Sequence, residues 1–149
     1  MNQESGAATH KPLAPTSPTR FSRLFPTTRR GAHTARHAAE RWLTDKLTAD
    51  QPACDDLLAT APLLIAELTA NAALHGQVHG RTARLVVMLD ATTLRIEVSD
   101  ARADRLPLRC PDTGGESERG LLLVEALAAE WGVRPYSPDG KTVWATCHR

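Results

Sequence analysis

A chain of 149 residues, 42% of them hydrophobic, can bury the core of one domain and is short for two. Its net charge of +1 gives no global positive field, which argues against nucleic acid or an acidic membrane surface as the main partner. The cysteines Cys54, Cys110 and Cys147 contain no CxxC pair, so we expect reduced thiols and a cytoplasmic protein.

The first 20 residues are rich in proline, threonine, serine and alanine and contain almost no large apolar side chain. Such a composition cannot bury enough surface to fold, so we expect a disordered tail over residues 1–20 and one domain over residues 21–149. The N-terminus lacks an export signal pattern, and we expect no apolar run that approaches the ~20 residues of a membrane span. The predicted protein is therefore neither exported nor bound to a membrane.

Two elements are predicted in the first part of the domain. Residues 21–25 alternate weakly and end before Pro26, which is typical of a short strand at a sheet edge. Residues 28–47 carry alanines and Trp42 at three- and four-residue spacing with arginines between them, which predicts a helix. Its small residues would allow a neighbour, including a second copy of the chain, to approach closely. Its basic face is either solvated or holds an acidic partner.

The most informative stretch is residues 63–76, LLIAELTANAALHG. Glu67, Asn71 and His75 follow one another at four-residue steps, so they share one side of a helix beside an apolar stripe. We predict that this helix starts near residues 50–52 and ends with the stretch. Unpaired polar groups beside a buried stripe cost about 2 to 7 kcal/mol. The polar row therefore requires an internal hydrogen-bond network, a metal ion with its waters, or a ligand.

Residues 83–89 form an apolar run rich in branched side chains, and residues 94–99 alternate between apolar and polar after a short turn. This pair predicts an antiparallel hairpin with one covered face and one solvated face. Counting in twos from Leu94 places Asp100 on the covered face. An inward carboxylate at a strand end accepts hydrogen bonds from the backbone or from a ligand, and both interpretations stay open.

The last third of the chain predicts a loop, a helix and a hairpin. Residues 101–119 have no period and contain prolines and glycines, which is typical of a long loop that acts as a lid. A helix is predicted over residues 120–130, and Arg119 with the free N–H groups at its start would suit a phosphate. Residues 133–136 and 141–147 flank a turn and predict a hairpin. The element order predicts an α+β fold, a two-layer α/β sandwich whose mixed, mostly antiparallel sheet is covered on one face by helices.

Three of these segments contain motifs that match the conserved sequence boxes of a known protein family. ELTANAALHG matches the box E-L-x-x-N-A-x-x-H-G, the strand ending in Asp100 matches an aspartate box, and ERGLLLVEALAAEWGV with GKTVWA matches a last glycine box, helix and final strand. Together they resemble the ATP-binding fold of histidine kinases, gyrase-type ATPases and chaperones, called the GHKL or Bergerat fold or the histidine kinase-like ATPase fold. Within it, the chain resembles the small bacterial branch of anti-sigma factor serine kinases.

The resemblance implies roles for individual residues. Glu67 would be the catalytic general base, acting on a substrate hydroxyl or a water, and Asn71 would bind the Mg2+ ion that bridges the ATP phosphates. His75 would support the site or contact the nucleotide edge, and Asp100 would accept a hydrogen bond from the adenine amino group. The nucleotide-contacting residues of the last glycine box would be Arg119, Gly120, Leu121 and Leu122.

The resemblance also implies a function. The chain would bind Mg-ATP. It would phosphorylate a serine or threonine of an antagonist protein, or sequester a sigma factor, or have both activities. It would also form a homodimer. An alternative is a non-catalytic module whose nucleotide binding switches protein partners, because Glu118 stands where the family box has glycine and no D-x-G-x-G pattern follows the aspartate. A third interpretation is a fold relative in which Glu67 and Asn71 belong to an internal network.

Overall fold

The structure is a computed structural model. It describes residues 17–50, 55–103 and 116–149, with side chains left out at the ends of three helices. Most of the predicted disordered tail and most of the predicted lid lie outside the described residues. The described elements, in chain order, are β1 (Thr19–Pro26), α1 (Arg29–Asp50), α2 (Asp55–His75), β2 (Thr82–Leu89), β3 (Thr93–Asp100), α3 (Glu116–Leu127), β4 (Glu130–Tyr136) and β5 (Gly140–His148).

The five strands form one sheet in the order β1-β2-β3-β5-β4, and all four pairings are antiparallel. The helices pack against this sheet, α1 against β1 and α2 against β3 and β5. This confirms the predicted α+β sandwich, and the sheet that was predicted to be mixed and mostly antiparallel is antiparallel in each pairing. Adjacent strands β2 and β3 are joined by a tight turn in which the Asp90 carboxylate accepts hydrogen bonds from the N–H groups of Thr92 and Thr93. These bonds lower the pKa of Asp90.

The opposite face of the sheet carries polar side chains, as the alternation in β3 predicted. Glu97 accepts hydrogen bonds from Arg95 on its own strand at 2.7 Å and from Arg134 on β4 at 2.9 and 3.0 Å. The Arg95 guanidinium also lies over the Trp144 ring, 4.4 Å from the ring centroid. Alternation therefore divides the sheet into one apolar and one charged face.

The alanines predicted on α1 are inside the domain. Ala32, Ala35 and Ala39 are at most 7% exposed, and α1 packs against α2 more extensively than any other pair of helices described. Small side chains let the two helix backbones approach closely. Because α2 of the same chain covers this face, it is not free to meet a second copy.

Helix α2 supplies much of the core, with Leu64, Ile65 and Leu68 at most 1% exposed. The expectation that no apolar run is as long as a membrane span is wrong. Segment Asp56–His75 has 20 residues and a mean hydropathy of 1.6, so it is long and apolar enough by length and composition alone. This segment packs against α1, α3 and the sheet, and the core helix of a domain meets the same criterion.

Some element boundaries differ from the predictions. Strand β1 begins two residues before the predicted start, and α1 continues to Asp50, beyond the expected end near residue 47. The first described residue of α2 is Asp55, and the predicted capping sequence lies partly outside the described residues. Helix α3 begins at Glu116 instead of Gly120. A glycine inside a helix costs only about 1 kcal/mol relative to alanine, so Gly120 did not mark a boundary.

Leu64 and Leu63 are neighbours on α2 with opposite environments, 0% and 47% exposed. We expect Leu64→Ala to lower the free energy of unfolding by about 2 to 5 kcal/mol, because it removes buried methyl groups and leaves a cavity. Leu63→Ala, the matched control, should change it by less than about 0.5 kcal/mol. Urea unfolding followed by circular dichroism measures both; equal losses would contradict the placement of α2.

Candidate functional site

The polar row of α2 meets the end of the sheet at a small, partly open cavity. Asn71 and His75 line it from the helix, and Asp100 and Lys141 line it from β3 and β5. Its volume is about 10 Å3, which is room for about one water molecule. The apolar part of its wall consists of Leu68, Ala72, Val98 and Val143.

Asp100 and Lys141 form a buried ion pair at the floor of this cavity. They are directly paired residues of β3 and β5, so both side chains point to the helix-covered face. The Nζ atom of Lys141 lies 3.0 Å from Oδ1 and 2.9 Å from Oδ2 of Asp100, and the two side chains are 5% and 3% exposed. The predicted inward direction of Asp100 is confirmed. Its lysine partner was not predicted.

Backbone groups of Arg102 complete the environment of this pair. The Arg102 N–H donates to Oδ1 of Asp100 at 2.8 Å, and the Arg102 carbonyl accepts from Lys141 Nζ at 2.8 Å. Three oxygen atoms, the two of the carboxylate and this carbonyl, thus lie within 3.0 Å of Nζ, as many as an ammonium has hydrogens to donate.

Two residues that line this cavity each have one polar atom without a partner in the described part of the chain. These atoms, Nδ2 of Asn71 and Nε2 of His75, are buried without a hydrogen bond. Leaving such groups unpaired costs about 1 to 3 kcal/mol each, a cost that a ligand or a bound water would remove. The two side chains that the sequence placed one turn apart thus line the same cavity, and each has an unsatisfied atom.

Two glycines allow the backbone and the carboxylate to come together at this point. A Cβ atom on Gly76 would lie 2.7 Å from Oδ2 of Asp100 and 2.7 Å from the Ala72 carbonyl oxygen. A Cβ atom on Gly140 would collide with the carbonyl oxygen of Asp100. The end of β3 is therefore held between the end of α2 and the start of β5 at positions that exclude any side chain.

Glu67 does not line the cavity, although it lies one helical turn before Asn71. Its side chain is partly buried, and this burial raises its pKa above the ordinary value of 4.5. Within the described part of the chain no hydrogen bond or cation offsets that effect. The structure thus brings Asn71, His75 and Asp100 together and leaves Glu67 beside them.

The family model of the histidine kinase-like ATPase domain matches residues 25–147. The chain belongs to the histidine kinase-like ATPase family. No curated protein sequence matches it. Membership assigns this domain to the GHKL superfamily of ATP-binding proteins.

The last glycine box of this histidine kinase-like ATPase domain is placed differently from the prediction. Because α3 begins at Glu116, Arg119 and Gly120 lie within its first turns rather than before its start. Leu121 is 4% exposed and belongs to the packed face of the helix, whereas Leu122 is 61% exposed. The side chains of Arg119 and its preceding helical residues lie outside the described side chains.

The described side chains do not supply a metal site by themselves. Residues 17–50, 55–103 and 116–149 contain no cluster of three or more histidine, cysteine or acidic side chains. Mg2+ takes oxygen ligands and keeps several waters, so one carboxamide from Asn71 is enough when phosphates supply the rest. That ligand would be the Oδ1 atom of Asn71, whereas its unpaired Nδ2 atom is a hydrogen-bond donor and does not bind Mg2+.

Glu67→Gln should stabilise the domain near neutral pH. Because the folded pKa of Glu67 is raised, the folded state holds the proton more tightly, and the stability this provides below about pH 4 is lost as pH rises through the folded pKa. Thermal unfolding should therefore show a higher Tm for the variant at about pH 7 and a difference that shrinks toward about pH 4. Glu130→Gln, at an exposed glutamate, is the control. A gain that does not depend on pH would contradict this interpretation.

Gly76→Ala should loosen the site, because its methyl group would overlap the Asp100 carboxylate and a backbone carbonyl. We expect a loss of about 1 to 3 kcal/mol in the free energy of unfolding. Gly80→Asn is a suitable control, since Gly80 has φ of 75° with open space around it and asparagine tolerates that backbone conformation. Chemical denaturation of both variants decides the point; an equal effect would contradict the close approach.

Proposed function

We propose that this domain binds Mg-ATP between α2 and the β3–β5 end of the sheet and transfers the γ-phosphate to a serine or threonine of a partner protein. The observation that carries the proposal is that Asn71, His75 and Asp100 line one cavity, and that Asn71 and His75 each have a buried polar atom without a partner among the described residues. The family match supports the ATP site. The resemblance to anti-sigma factor kinases supports a sigma factor or its antagonist as partner.

Each residue then has a defined contribution. Asp100 accepts from the exocyclic amino group of adenine, and His75 contacts the edge of the nucleotide. Asn71 supplies one oxygen to Mg2+, which screens the phosphate charges when it is bound. Glu67 accepts the proton of the attacking hydroxyl, and its raised pKa makes it a stronger base than an exposed glutamate once it is ionised. Transfer should therefore rise with pH through the pKa of Glu67.

The small volume of the cavity sets a condition on binding. A space of about 10 Å3 cannot admit a purine, so α2 and the sheet must separate at this end before the base enters. Helix α2 ends at His75, and Gly76, which follows it, lies against the Asp100 carboxylate without a side chain of its own. We propose that ATP binding moves the end of α2 away from the adjacent ends of β3 and β5.

A second function is favoured by a specific observation. Glu67 lies outside the cavity that holds the other site residues, and its carboxylate has no charge partner among the described residues. This supports the alternative of a non-catalytic module that binds nucleotide and changes its protein partner. The two functions share the ATP site and differ only in phosphate transfer.

The proposed partner would meet a basic surface. Arg29, His33 and Arg36 line a groove of about 350 Å3 between α1 and α2, whose remaining wall is mostly alanine. Such charges would suit an acidic partner protein.

The buried free thiol of Cys147 agrees with a reducing compartment, and we propose a cytoplasmic location.

Calorimetric titration with ATP tests the site. We expect the wild type to bind, and Asn71→Ala or removal of Mg2+ to weaken binding by at least about tenfold, which is about 1.4 kcal/mol. Leu74→Ala, at an exposed leucine of the same helix, is the control and should bind as the wild type does. Wild-type protein that binds no ATP would contradict the proposal.

Phosphate release from γ-labelled ATP separates the two functions. With water as acceptor, Glu67→Gln should reduce the rate by about 10² to 10⁴ without weakening ATP binding, because only the proton acceptor is lost. Wild-type protein that binds ATP but releases no phosphate, alone or with a candidate antagonist protein, would favour the non-catalytic module.

A further inference from the structure

The groove between α1 and α2 combines positive charge with small side chains. Arg29, His33 and Arg36 line it from α1, and its volume is about 350 Å3. The residues that line it from α2 are mostly small, among them Ala66 and Ala70, and no acidic side chain lines it in the described part of the chain. The groove therefore offers cationic donors beside a narrow apolar wall, which fits a slender segment that carries carboxylates.

Two of these arginines are not fully compensated by the rest of the described chain. Arg29 is the first residue of α1, where a positive side chain is unfavourable because the helix dipole is positive at that end. The Nε atom of Arg36 is buried without a hydrogen bond, and Oε1 of Glu40 lies 3.6 Å away from it. A carboxylate bound in the groove would compensate the first charge and give the second donor an acceptor.

Glu67 lies on the part of α2 between this groove and the candidate nucleotide cavity. Ala70 lines the groove, Asn71 lines the cavity, and Glu67 lines neither. At about 100° per residue, Glu67 is about 60° around the helix from Ala70 and about 40° from Asn71, in opposite directions. A general base must reach the acceptor hydroxyl while that hydroxyl faces the γ-phosphate. A nucleotide on the Asn71 side therefore leaves the groove side of Glu67 for the acceptor.

We propose that the groove binds the acceptor segment of the partner protein, a short stretch in which acidic residues flank the serine or threonine. This inference rests on the proposed phosphate transfer and adds where the acceptor binds and which chemistry selects it. The flanking carboxylates pair with Arg29 and Arg36, and the hydroxyl lies at Glu67. The hydroxyl oxygen forms the new bond to the γ-phosphorus while the bond from that phosphorus to the ADP oxygen breaks, and the hydroxyl proton passes to Glu67.

Fluorescence anisotropy of short rhodamine-labelled peptides tests the groove in the full chain without nucleotide. One peptide has a central serine among aspartates and alanines, and the other has lysines in place of the aspartates. We expect the acidic peptide to bind at least about tenfold more tightly, and Arg29→Gln and Arg36→Gln each to weaken it by at least about threefold. Arg41→Gln, at an exposed arginine of α1 outside the groove, removes the same charge and should leave the affinity unchanged.

The comparison of variants locates the peptide as well as measuring it. Equal affinity for the acidic and the basic peptide overturns the proposal, because charge then selects nothing. An acidic peptide that Arg41→Gln weakens as much as Arg29→Gln also overturns it, since the helix would then attract the peptide by its total charge and not through the groove.

Transfer of labelled γ-phosphate to the acidic peptide connects the groove with Glu67. We expect Arg29→Gln to raise KM for the peptide and leave kcat near the wild-type value, because it removes a contact made in the ground state and the transition state alike. Glu67→Gln should instead lower kcat and leave peptide binding unchanged. A fall in kcat without a change of KM in Arg29→Gln would contradict a binding role for this arginine.

Failure of this inference and failure of the proposed function give different results. A wild type that binds ATP but does not prefer the acidic peptide overturns the acceptor groove alone. A wild type that prefers the acidic peptide but binds no ATP overturns the proposed function, and with it the acceptor role of the groove.

Discussion

The buried pair of Asp100 and Lys141 is the interaction on which the candidate site depends. Removing two such charges from water costs several kcal/mol for each, and the cost is recovered only with good geometry and with partners for the remaining hydrogens. The structure provides both, through contacts of 3.0 Å or less and through the two backbone groups of Arg102. Because the residues are directly opposite on adjacent strands, sheet register alone brings them together.

The pair also organises the elements around it. The end of β3, the start of β5 and the end of α2 all meet at the carboxylate, and the two glycines there remove the side chains that would prevent it. Helix α2 in turn serves both the core and the site, with leucine and isoleucine on one side and asparagine and histidine on the next. A displacement of this helix would therefore change packing and ligand contacts together.

Much of this arrangement could be predicted from the sequence. Helical spacing placed Asn71 and His75 on one side of α2, and strand alternation placed Asp100 inside, because both patterns are local and periodic. Lys141 was missed although the signal was present: counting back in twos from Cys147 gives buried positions down to this lysine. A lysine beside a turn is normally exposed, so the alternation alone was not convincing. The pairing of Lys141 with Asp100 on β3 is what identifies its side chain as buried.

Other features depend on contacts that no local pattern contains. The small volume of the cavity follows from how α2 meets the sheet, and the separation of Glu67 from it follows from the rotation of that helix. The start of α3 was predicted too late because a glycine was taken as a boundary. Four residues of the helix precede that glycine, and they have no apolar period to reveal them.

The direct pairing of Asp100 with Lys141 has a consequence for how the sequence can diverge. Replacing either residue alone leaves an uncompensated buried charge, a loss of about 3 to 5 kcal/mol, which is a large fraction of the stability of an ordinary domain. Replacing both with apolar residues of similar volume is often close to neutral. The two positions should therefore be inherited as a unit, and related sequences should contain either both charges or neither, with few intermediates between them.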